Sequence, residues 1–431
     1  MKNKVVTAAV AAVMCAGIFF SACENPGKSI LLGEPAAPAE FSYEESRDEG
    51  FESLNKSAQK FAAEFAAAAC NLDASGKNFA VSPVSMYSAL ALAAECSSGD
   101  TRAEILSAMN TDYAVLSENY SDIYRSLFEE SDTSLSSVGN SVWMDSSITA
   151  DNDCINTLAE KYGCYSYSAD FASDNGNANL AVKHFIKQQT RGLIDENLQL
   201  GKDTLFTLIN TFFLKDTWNM FGEQLDMTKD EYKFTEYDGG TKNTKLMQGN
   251  YAGIKVFDGG NFTSCYAQTN MGYTLTFILP DDGVSLDKVF TAENISAAMS
   301  ADYSGTDHEN KIHYHTRCLF PAFSASYNGD VKDILRGMGI NSLFEAYACD
   351  LSSLMPDFSG AYCPEVKHIT KLKVDRRGIE GAAITAIPTA GSPGPDGYEN
   401  VYLDFVADRA FGFIISDKYS TPLFAGAVAS I

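Results

Sequence analysis

The sequence predicts an α+β protein with one large folded domain. Apolar residues recur at helical spacing through much of the first half, whereas the second half is richer in short apolar runs bounded by turn residues. The 431 residues are 45% hydrophobic and 20% charged, which is enough apolar material for one large core or two medium ones. Because helices followed by strands favour an α+β arrangement, we expect a single domain over residues 51–431.

Residues 1–22 have the parts of a secretory signal. Lys2 and Lys4 precede an apolar run that ends at Phe20, and the small residues Ser21 and Ala22 lead into Cys23. Ser-Ala-Cys resembles the lipobox of bacterial lipoproteins, in which the cysteine becomes the lipidated first residue. We therefore predict lipidation at Cys23, with ordinary cleavage near Ala22 and a free Cys23 as the alternative.

Residues 23–50 are predicted to be a flexible tether. They carry Pro26, Pro35 and Pro38 and an acidic run that ends at Glu49. This composition is typical of a segment that does not fold by itself.

The helices of the domain are predicted from spacing and capping signals. Leu54, Ala58, Phe61, Ala62, Phe65 and Ala69 recur at helical spacing after Phe51. Ser82 is a typical N-cap, and Pro83 fits the first turn of a second helix that runs through Leu92. A third helix starts at Asp100 and Thr101, and further helices are predicted over residues 180–190 and 334–344.

The strands are predicted from apolar runs and turns. Residues 204–214 are apolar nearly throughout, which is typical of a strand buried on both faces. The other predicted strands are 138–144, 273–279, 366–374, 400–407, 410–416 and 423–429.

The net charge of −24 argues against nucleic-acid binding, because an acidic surface repels phosphate backbones. An acidic surface does not attract anionic lipid either, so we expect contact with a membrane only through the predicted anchor. Eight cysteines follow Cys23, and their irregular spacing leaves open whether they pair or stay as buried thiols: Cys70, Cys96, Cys154, Cys164, Cys265, Cys318, Cys349 and Cys363.

Three motifs suggest enzyme or metal chemistry and are weighed against simpler alternatives. Ser57 and Lys60 fit the Ser-x-x-Lys of serine acyl enzymes, and Ser173-Asp-Asn175 fits their second motif, but no Lys-Thr-Gly or Lys-Ser-Gly follows. His313 and His315 could share one face of a strand as in a zinc site, although no third ligand is indicated by spacing. His368, in an apolar strand, is interpreted as a core histidine with satisfied ring nitrogens. We predict neither a metal nor another cofactor, and no catalytic residues.

Six segments resemble motifs of the serpin family, and they occur in the family's order. They are residues 78–90, 184–194, 208–218, 319–323, 407–411 and 423–428. The resemblance implies the serpin fold, with helices packed around three β-sheets and an exposed reactive-centre loop near the C-terminus. It also implies that Ser82, Ser85, Asn210, Trp218 and His368 lie beneath the central sheet and at its upper end.

Residues 374–383, Val-Asp-Arg-Arg-Gly-Ile-Glu-Gly-Ala-Ala, are similar to the serpin hinge. The resemblance assigns the hinge to Gly378, Ile379, Glu380, Gly381, Ala382, Ala383, Ile384 and Thr385. In serpins a protease cuts the exposed loop and is held as an ester on the new chain end. The freed segment then inserts into the central sheet before the ester is hydrolysed. Strand alternation should turn Ile379, Gly381, Ala383 and Thr385 to one face, and this set carries no charge.

The sequence does not fix the scissile bond: Thr389, Ala390, Gly391 and Ser392 are the candidates for the residue before the cut. Counting from Gly378 as in typical serpins gives Ser392, but Pro393 follows it, and most proteases reject that pair. No Lys or Arg occurs between Gly378 and Asp408, so the expected target is a serine or cysteine protease that accepts small or uncharged residues. A trypsin-like target is not expected.

The sequence thus predicts a lipid-anchored bacterial serpin that acts as a suicide inhibitor in the cell envelope, outside the inner membrane, and that is a monomer. Residues 111–136, where some serpins bind heparin, carry six acidic residues and one arginine, so heparin is not an expected partner. Two alternatives remain. The first is a non-inhibitory binding serpin, which is favoured by Ile379 in place of the usual Thr or Ser and by the long Pro/Gly loop. The second, more remote alternative is a serine acyl enzyme that uses Ser57 and Lys60.

Overall fold

The computed structural model describes residues 27–70, 76–132, 134–195, 198–218, 224–379, 395 and 397–431. Nine α-helices lie within these ranges: α1 Glu49–Ala69, α2 Pro83–Cys96, α3 Gly99–Ala108, α4 Tyr113–Ser126, α5 Asn152–Tyr162, α6 Asn175–Gln189, α7 Leu286–Val289, α8 Ala292–Ser300 and α9 Lys332–Gly337. Short 3₁₀ turns occur at Glu45–Arg47 and Ser342–Phe344.

Helices α1 and α2 form the centre of the helical layer, and their ends follow the capping signals. The Asp48 side chain accepts the Gly50 N–H at the start of α1, and the Ser82 side chain accepts the Ser85 N–H at the start of α2. The six apolar positions predicted for α1 are all buried. Helix α2 is apolar on nearly all sides because it lies inside the core.

The main sheet has eight strands among the described residues, in the order β1-β5-β4-β6-β18-β17-β16, with β3 paired to β4. Their bounds are β1 Ile30–Gly33, β3 Glu129–Glu130, β4 Leu135–Asp145, β5 Cys164–Ala169, β6 Phe206–Thr217, β16 Phe323–Asp330, β17 Lys367–Asp375 and β18 Gly378–Ile379. Among the described strands of this sheet, only β4 and β5 are parallel neighbours, and the other neighbouring pairs are antiparallel.

Two further sheets complete the described core. A six-stranded sheet has the order β11-β12-β13-β20-β21-β2, and a five-stranded sheet has the order β14-β15-β10-β7 with β19 parallel to β15. Strands β8 and β9 form a separate hairpin. The bounds are β2 Phe79–Val81, β7 Asp226–Met227, β8 Tyr232–Thr235, β9 Thr241–Thr244, β10 Met247–Ala252, β11 Phe257–Asp258, β12 Phe262–Gln268, β13 Thr274–Pro280, β14 Thr306–Asp307, β15 Ile312–Phe320, β19 Glu399–Val406, β20 Phe411–Ser416 and β21 Pro422–Val428.

The described part of residues 23–50 differs from the flexible tether predicted by composition. Strand β1 pairs antiparallel with β5. Farther along, the Phe41 ring packs against Phe51 and Tyr419. The Arg125 guanidinium forms an ion pair with the Glu45 carboxylate, with 2.7 Å between nitrogen and oxygen. These contacts supply the apolar burial and charge pairing that the segment lacks by itself, so it lies on the domain. Cys23 lies outside the described residues.

Candidate functional site

The main sheet has a cleft between β6 and β17. Over the described residues these two strands are joined only through the two-residue strand β18. Gly378 pairs with Thr217 and Asp375, and Ile379 pairs with Asp216 and Val374. Below this point no ladder between β6 and β17 is formed by the described residues, so among them one strand position in the sheet is open.

Cavities lie on both faces of the cleft. The larger, of about 250 Å³, lies on the α6 side and is lined in part by Ile186 of α6, Ile209 of β6 and Ile369 of β17. A smaller cavity of about 40 Å³ lies on the α2 side, beside Ser85 and His368. An extended segment entering the cleft would therefore find room for side chains on either face.

Gly378 occupies a position where only glycine fits. A Cβ built on it would lie 1.9 Å from the Asp216 carbonyl oxygen, far inside van der Waals contact. The absence of a side chain lets the chain enter between β6 and β17 at this point. The next residue, Ile379, is completely buried. The start of the predicted hinge therefore already lies in the sheet.

The other predicted loop residues lie outside the described part of the chain. These are Glu380, Gly381, Ala382, Ala383, Ile384 and Thr385 of the hinge, and Thr389, Ala390, Gly391 and Ser392 around the scissile bond. Their assignment remains a prediction.

Trp218 and Asp216 hold the upper end of the cleft. The Trp218 indole N–H donates to the Asp375 carbonyl at 2.7 Å, which joins the end of β6 to the end of β17. The Asp216 carboxylate accepts the N–H groups of Thr217 and Met271 at 2.8 and 3.0 Å. Burial raises the pKa of Asp216 above its ordinary value.

Arg376 and Arg377 form the turn that leads into Gly378. The Arg376 guanidinium donates to the Leu225 carbonyl at 2.9 Å, and the Leu225 N–H donates to the Arg376 carbonyl at 2.7 Å. The Arg377 N–H donates to the Asp375 carboxylate. The turn is thus held by backbone groups of neighbouring segments, and both arginines are accommodated at the mouth of the cleft.

His368 lies below this mouth, buried against α2. Its Nε2 accepts the Ser82 N–H at 3.0 Å, and the Ser82 hydroxyl donates to the Leu423 carbonyl at 2.8 Å. The Phe65 ring packs edge-on to the imidazole, with 5.8 Å between the centroids. Burial lowers the pKa of His368 to about 4, so the ring is neutral at physiological pH.

A second chain of hydrogen bonds runs across the sheet from α2. The Ser85 hydroxyl donates to Asn210 on β6, and the Asn210 amide donates to Asn140 on β4. Asn140 in turn donates to the Tyr162 carbonyl at 2.8 Å. The structure thus brings Ser82, Ser85, Asn210 and His368 together beneath the cleft. Asn140 was not predicted, although an amide in the largely apolar run 138–144 was a usable signal.

The enzyme and metal motifs lie elsewhere. The Ser57 hydroxyl donates to the Ser53 carbonyl of its own helix, and Lys60 lies 4.0 Å from Glu64 on the same helix. His313 bonds Thr306 and His315 bonds Asn400, each at 2.9 Å. Among the described residues no group of three or more His, Cys, Asp or Glu side chains is placed to hold a metal ion.

No disulfide joins the cysteines that the structure describes, and six of those cysteines are buried. None of the helices within the described ranges combines the length and apolar character that a membrane span needs.

The family that matches the sequence is Serpin (serine protease inhibitor), over residues 56–431. Serpin-Z2B of Oryza sativa subsp. japonica is 28% identical over 399 residues, covering 83% of this chain and 92% of that protein. Alpha-1-antiproteinase of Callosciurus caniceps is 25% identical over 375 residues, covering 82% and 83%.

Solved structures show the same fold. The thermophilic serpin tengpin in its native state has a TM-score of 0.74 at 20% identity, covering 94% of this chain and 100% of that one. Human thyroxine-binding globulin has a TM-score of 0.70 at 18% identity, covering 88% of this chain and 99% of that one. Structural neighbours of this fold thus include a thyroxine-binding protein. The expected fold is confirmed, and the chain belongs to the serpin family.

Proposed function

We propose that this protein is a suicide inhibitor of serine or cysteine endopeptidases that accept small or uncharged residues at the cut. The observation that carries the proposal is the open strand position between β6 and β17, with Gly378 and Ile379 already seated at its upper end. An open position next to the start of a segment whose Ile379, Gly381, Ala383 and Thr385 face carries no charge is what insertion of that segment requires.

The proposed reaction uses the chemistry of the target protease. Its serine or cysteine nucleophile attacks the scissile carbonyl, the amine of the downstream residue leaves, and an ester or thioester joins the protease to the new chain end. The freed segment then extends β18 down the cleft and carries the attached protease with it. Insertion adds ladder hydrogen bonds on both sides and fills the cavity that Ile209 and Ile369 line. Trapping succeeds when insertion is faster than hydrolysis of the ester, and each 1.4 kcal/mol of barrier changes that ratio about tenfold.

The sequence of the segment supports insertion. Gly381 and Ala383 are small and uncharged and are expected to share a face with Ile379, whose own side chain is fully buried at the first position. The bulk of Ile379 therefore does not argue against insertion. The protein itself is not expected to be an enzyme, because serpins are generally protease inhibitors and Ser57 and Lys60 form no catalytic pair.

The test is incubation with elastase-, subtilisin- and papain-like proteases, followed by denaturing gel electrophoresis. We expect a covalent complex with at least one of them, and sequencing of the released C-terminal fragment locates the cut. Ala383→Arg places a charge on the face expected to pack, so it should turn trapping into simple cleavage. The same change at the exposed Ala172 should leave trapping intact. Cleavage without a complex by every protease, with no rise in melting temperature, would contradict inhibition.

A non-inhibitory binding serpin is the second candidate, and the long loop with Pro388, Pro393 and Pro395 is the feature that favours it. Pro388 lacks an N–H and would remove a ladder bond if it entered the sheet centrally. A binding protein of this kind would be cut in the loop without trapping the protease and would keep its melting temperature.

We also propose that the chain is a bacterial lipoprotein, anchored at Cys23 in the cell envelope and exposed outside the inner membrane as a monomer. The apolar run to Phe20 followed by Ser-Ala-Cys supports the anchor. Cys23→Ser should move the protein from the membrane fraction to the soluble fraction, whereas Cys15→Ser, within the signal, should not. Retention of the Cys23→Ser variant in the membrane fraction would contradict the anchor.

A further inference from the structure

Strand β1 fixes where the N-terminal segment leaves the domain. One row of paired residues crosses the main sheet from Ile30 through Ser168 and Met144 to Phe206. Phe206 is the first residue of β6, and the pair of Gly378 with Thr217 lies at the other end of that strand. Eleven residues separate the two levels, which is about 36 Å along a strand. The described residues that precede β1 therefore lie at the opposite end of the sheet from the hinge.

Around this exit lies an apolar surface, the β1 patch, formed by Ile30, Leu31, Leu32 and Leu180. The β1 residues have exposed fractions of 66%, 46% and 44%, and Leu180 of α6 is 37% exposed. The chain at Gly27 and Lys28 lies directly on α6, where the Lys28 N–H donates to the Asn177 carbonyl at 3.1 Å. The four residues therefore lie at the same end of the main sheet.

The length of chain before β1 limits what can cover this patch. Gly27 follows Cys23 by four residues and Ile30 follows it by seven. Fully extended, these segments reach at most about 14 Å and 25 Å. A lipid attached to Cys23 would thus hold the β1 patch within that distance of the membrane surface.

We propose that the β1 patch docks on the lipid surface that holds the anchor, so that the domain sits on the membrane in one orientation with its hinge end pointing outwards. This inference rests on the proposed lipid anchor. Because Ile30 and Leu31 are both exposed and, as successive paired residues, turn to opposite faces of β1, an apolar medium that takes both faces suits the strand. The backbone groups that β1 leaves unpaired among the described residues would lie in the hydrated headgroup layer, where water satisfies them.

The charge of the protein selects the kind of lipid. The chain carries a net charge of −24, so anionic headgroups repel it. Lys28, which flanks the patch, already pairs with Asp174 at 2.9 Å. We therefore expect docking on zwitterionic lipid and weaker docking as anionic lipid is added.

The test supplies the anchor chemically. The chain beginning at Cys23 is coupled through that thiol to a maleimide lipid in phosphatidylcholine vesicles, with Cys70→Ser and Cys349→Ser to block the half-buried thiols. Leu31→Trp then reports contact with lipids that carry a doxyl quencher near the headgroup. Tyr402→Trp, on β19 and also exposed, is the matched control, and Ile30→Trp replaces Leu31→Trp if that variant folds poorly.

We expect doxyl lipid to remove at least three times more emission from Leu31→Trp than from Tyr402→Trp, and the ratio to fall when phosphatidylglycerol is added. Equal quenching of the two variants on vesicles would overturn the docking proposal. Because coupling replaces biological lipidation, that result is separate from a failure of Cys23→Ser to release the protein from cells.

Discussion

The neutral imidazole of His368 should make the stability of the protein fall as the pH is lowered from 6.5 towards 4. In the folded state its Nε2 accepts the Ser82 N–H, and a protonated ring cannot accept. The folded pKa is about 4 against an ordinary 6.5, so in this window the unfolded chain binds a proton that the folded chain refuses. The contribution is fully present above pH 6.5 and absent below pH 4. At about 1.4 kcal/mol per pKa unit, the loss is about 3 kcal/mol.

His368→Gln tests this number, because the glutamine carbonyl can still accept the Ser82 N–H but does not titrate. The free energy of unfolding is measured by urea denaturation of both proteins between pH 4 and 8. We expect the wild type to gain about 3 kcal/mol relative to the variant as the pH rises from 4 to 7. A difference that stays constant across this range would show that the folded imidazole titrates normally, and the argument from burial would be wrong.

Three further predictions concern other parts of the molecule. Asp417→Asn should stabilise the protein increasingly from pH 4 to 7, by up to about 4 kcal/mol. The reason is that burial raises the pKa of Asp417 to about 7, so ionisation of this carboxyl opposes folding. Urea denaturation that shows no pH-dependent gain in the variant would contradict this. Gly378→Ala should lower the free energy of unfolding by about 3 kcal/mol, because the β18 pairing and the burial of Ile379 are lost. Gly176→Ala, with open space around its Cβ, should be nearly neutral. Equal effects of the two changes would refute the close approach of Gly378 to the Asp216 carbonyl. Asn210→Ala should cost about 2 kcal/mol, since it removes the partner of both Ser85 and Asn140, and an unchanged urea midpoint would count against that network.

Much of the fold follows from patterns that the sequence displays openly. Helix α1 was predicted because its buried positions are apolar at regular spacing, and β6 because it is buried on both faces. Helices α4 and α5 were missed because only four residues of each are buried and most of the others are polar. Strand β9 was missed for a related reason: its four residues are largely exposed, and pairing with β8 rather than an apolar pattern holds them in place.

The site was only partly predictable. Residues such as Ser82 and His368 could be placed together through a resemblance, but spacing by itself does not reveal that they touch. The importance of Asp216 follows from tertiary packing, since its carboxylate bonds Met271 of a distant loop. The N-terminal segment was misjudged because its prolines and acids outweighed Ile30, Leu31 and Leu32, whose strand needs β5 as a partner.

The level of β1 on the main sheet has a consequence for any enzyme that this protein captures. A segment that enters beside Thr217 and travels down the cleft ends near Phe206, in the same row as Ile30. A protease attached to the end of that segment would therefore come to lie beside the anchored end of the inhibitor, between the inhibitor and the bilayer. The lipid anchor would then keep the covalent inhibitor–protease complex at the membrane. The space between the inhibitor and the bilayer would limit the size of the protease that can be accommodated.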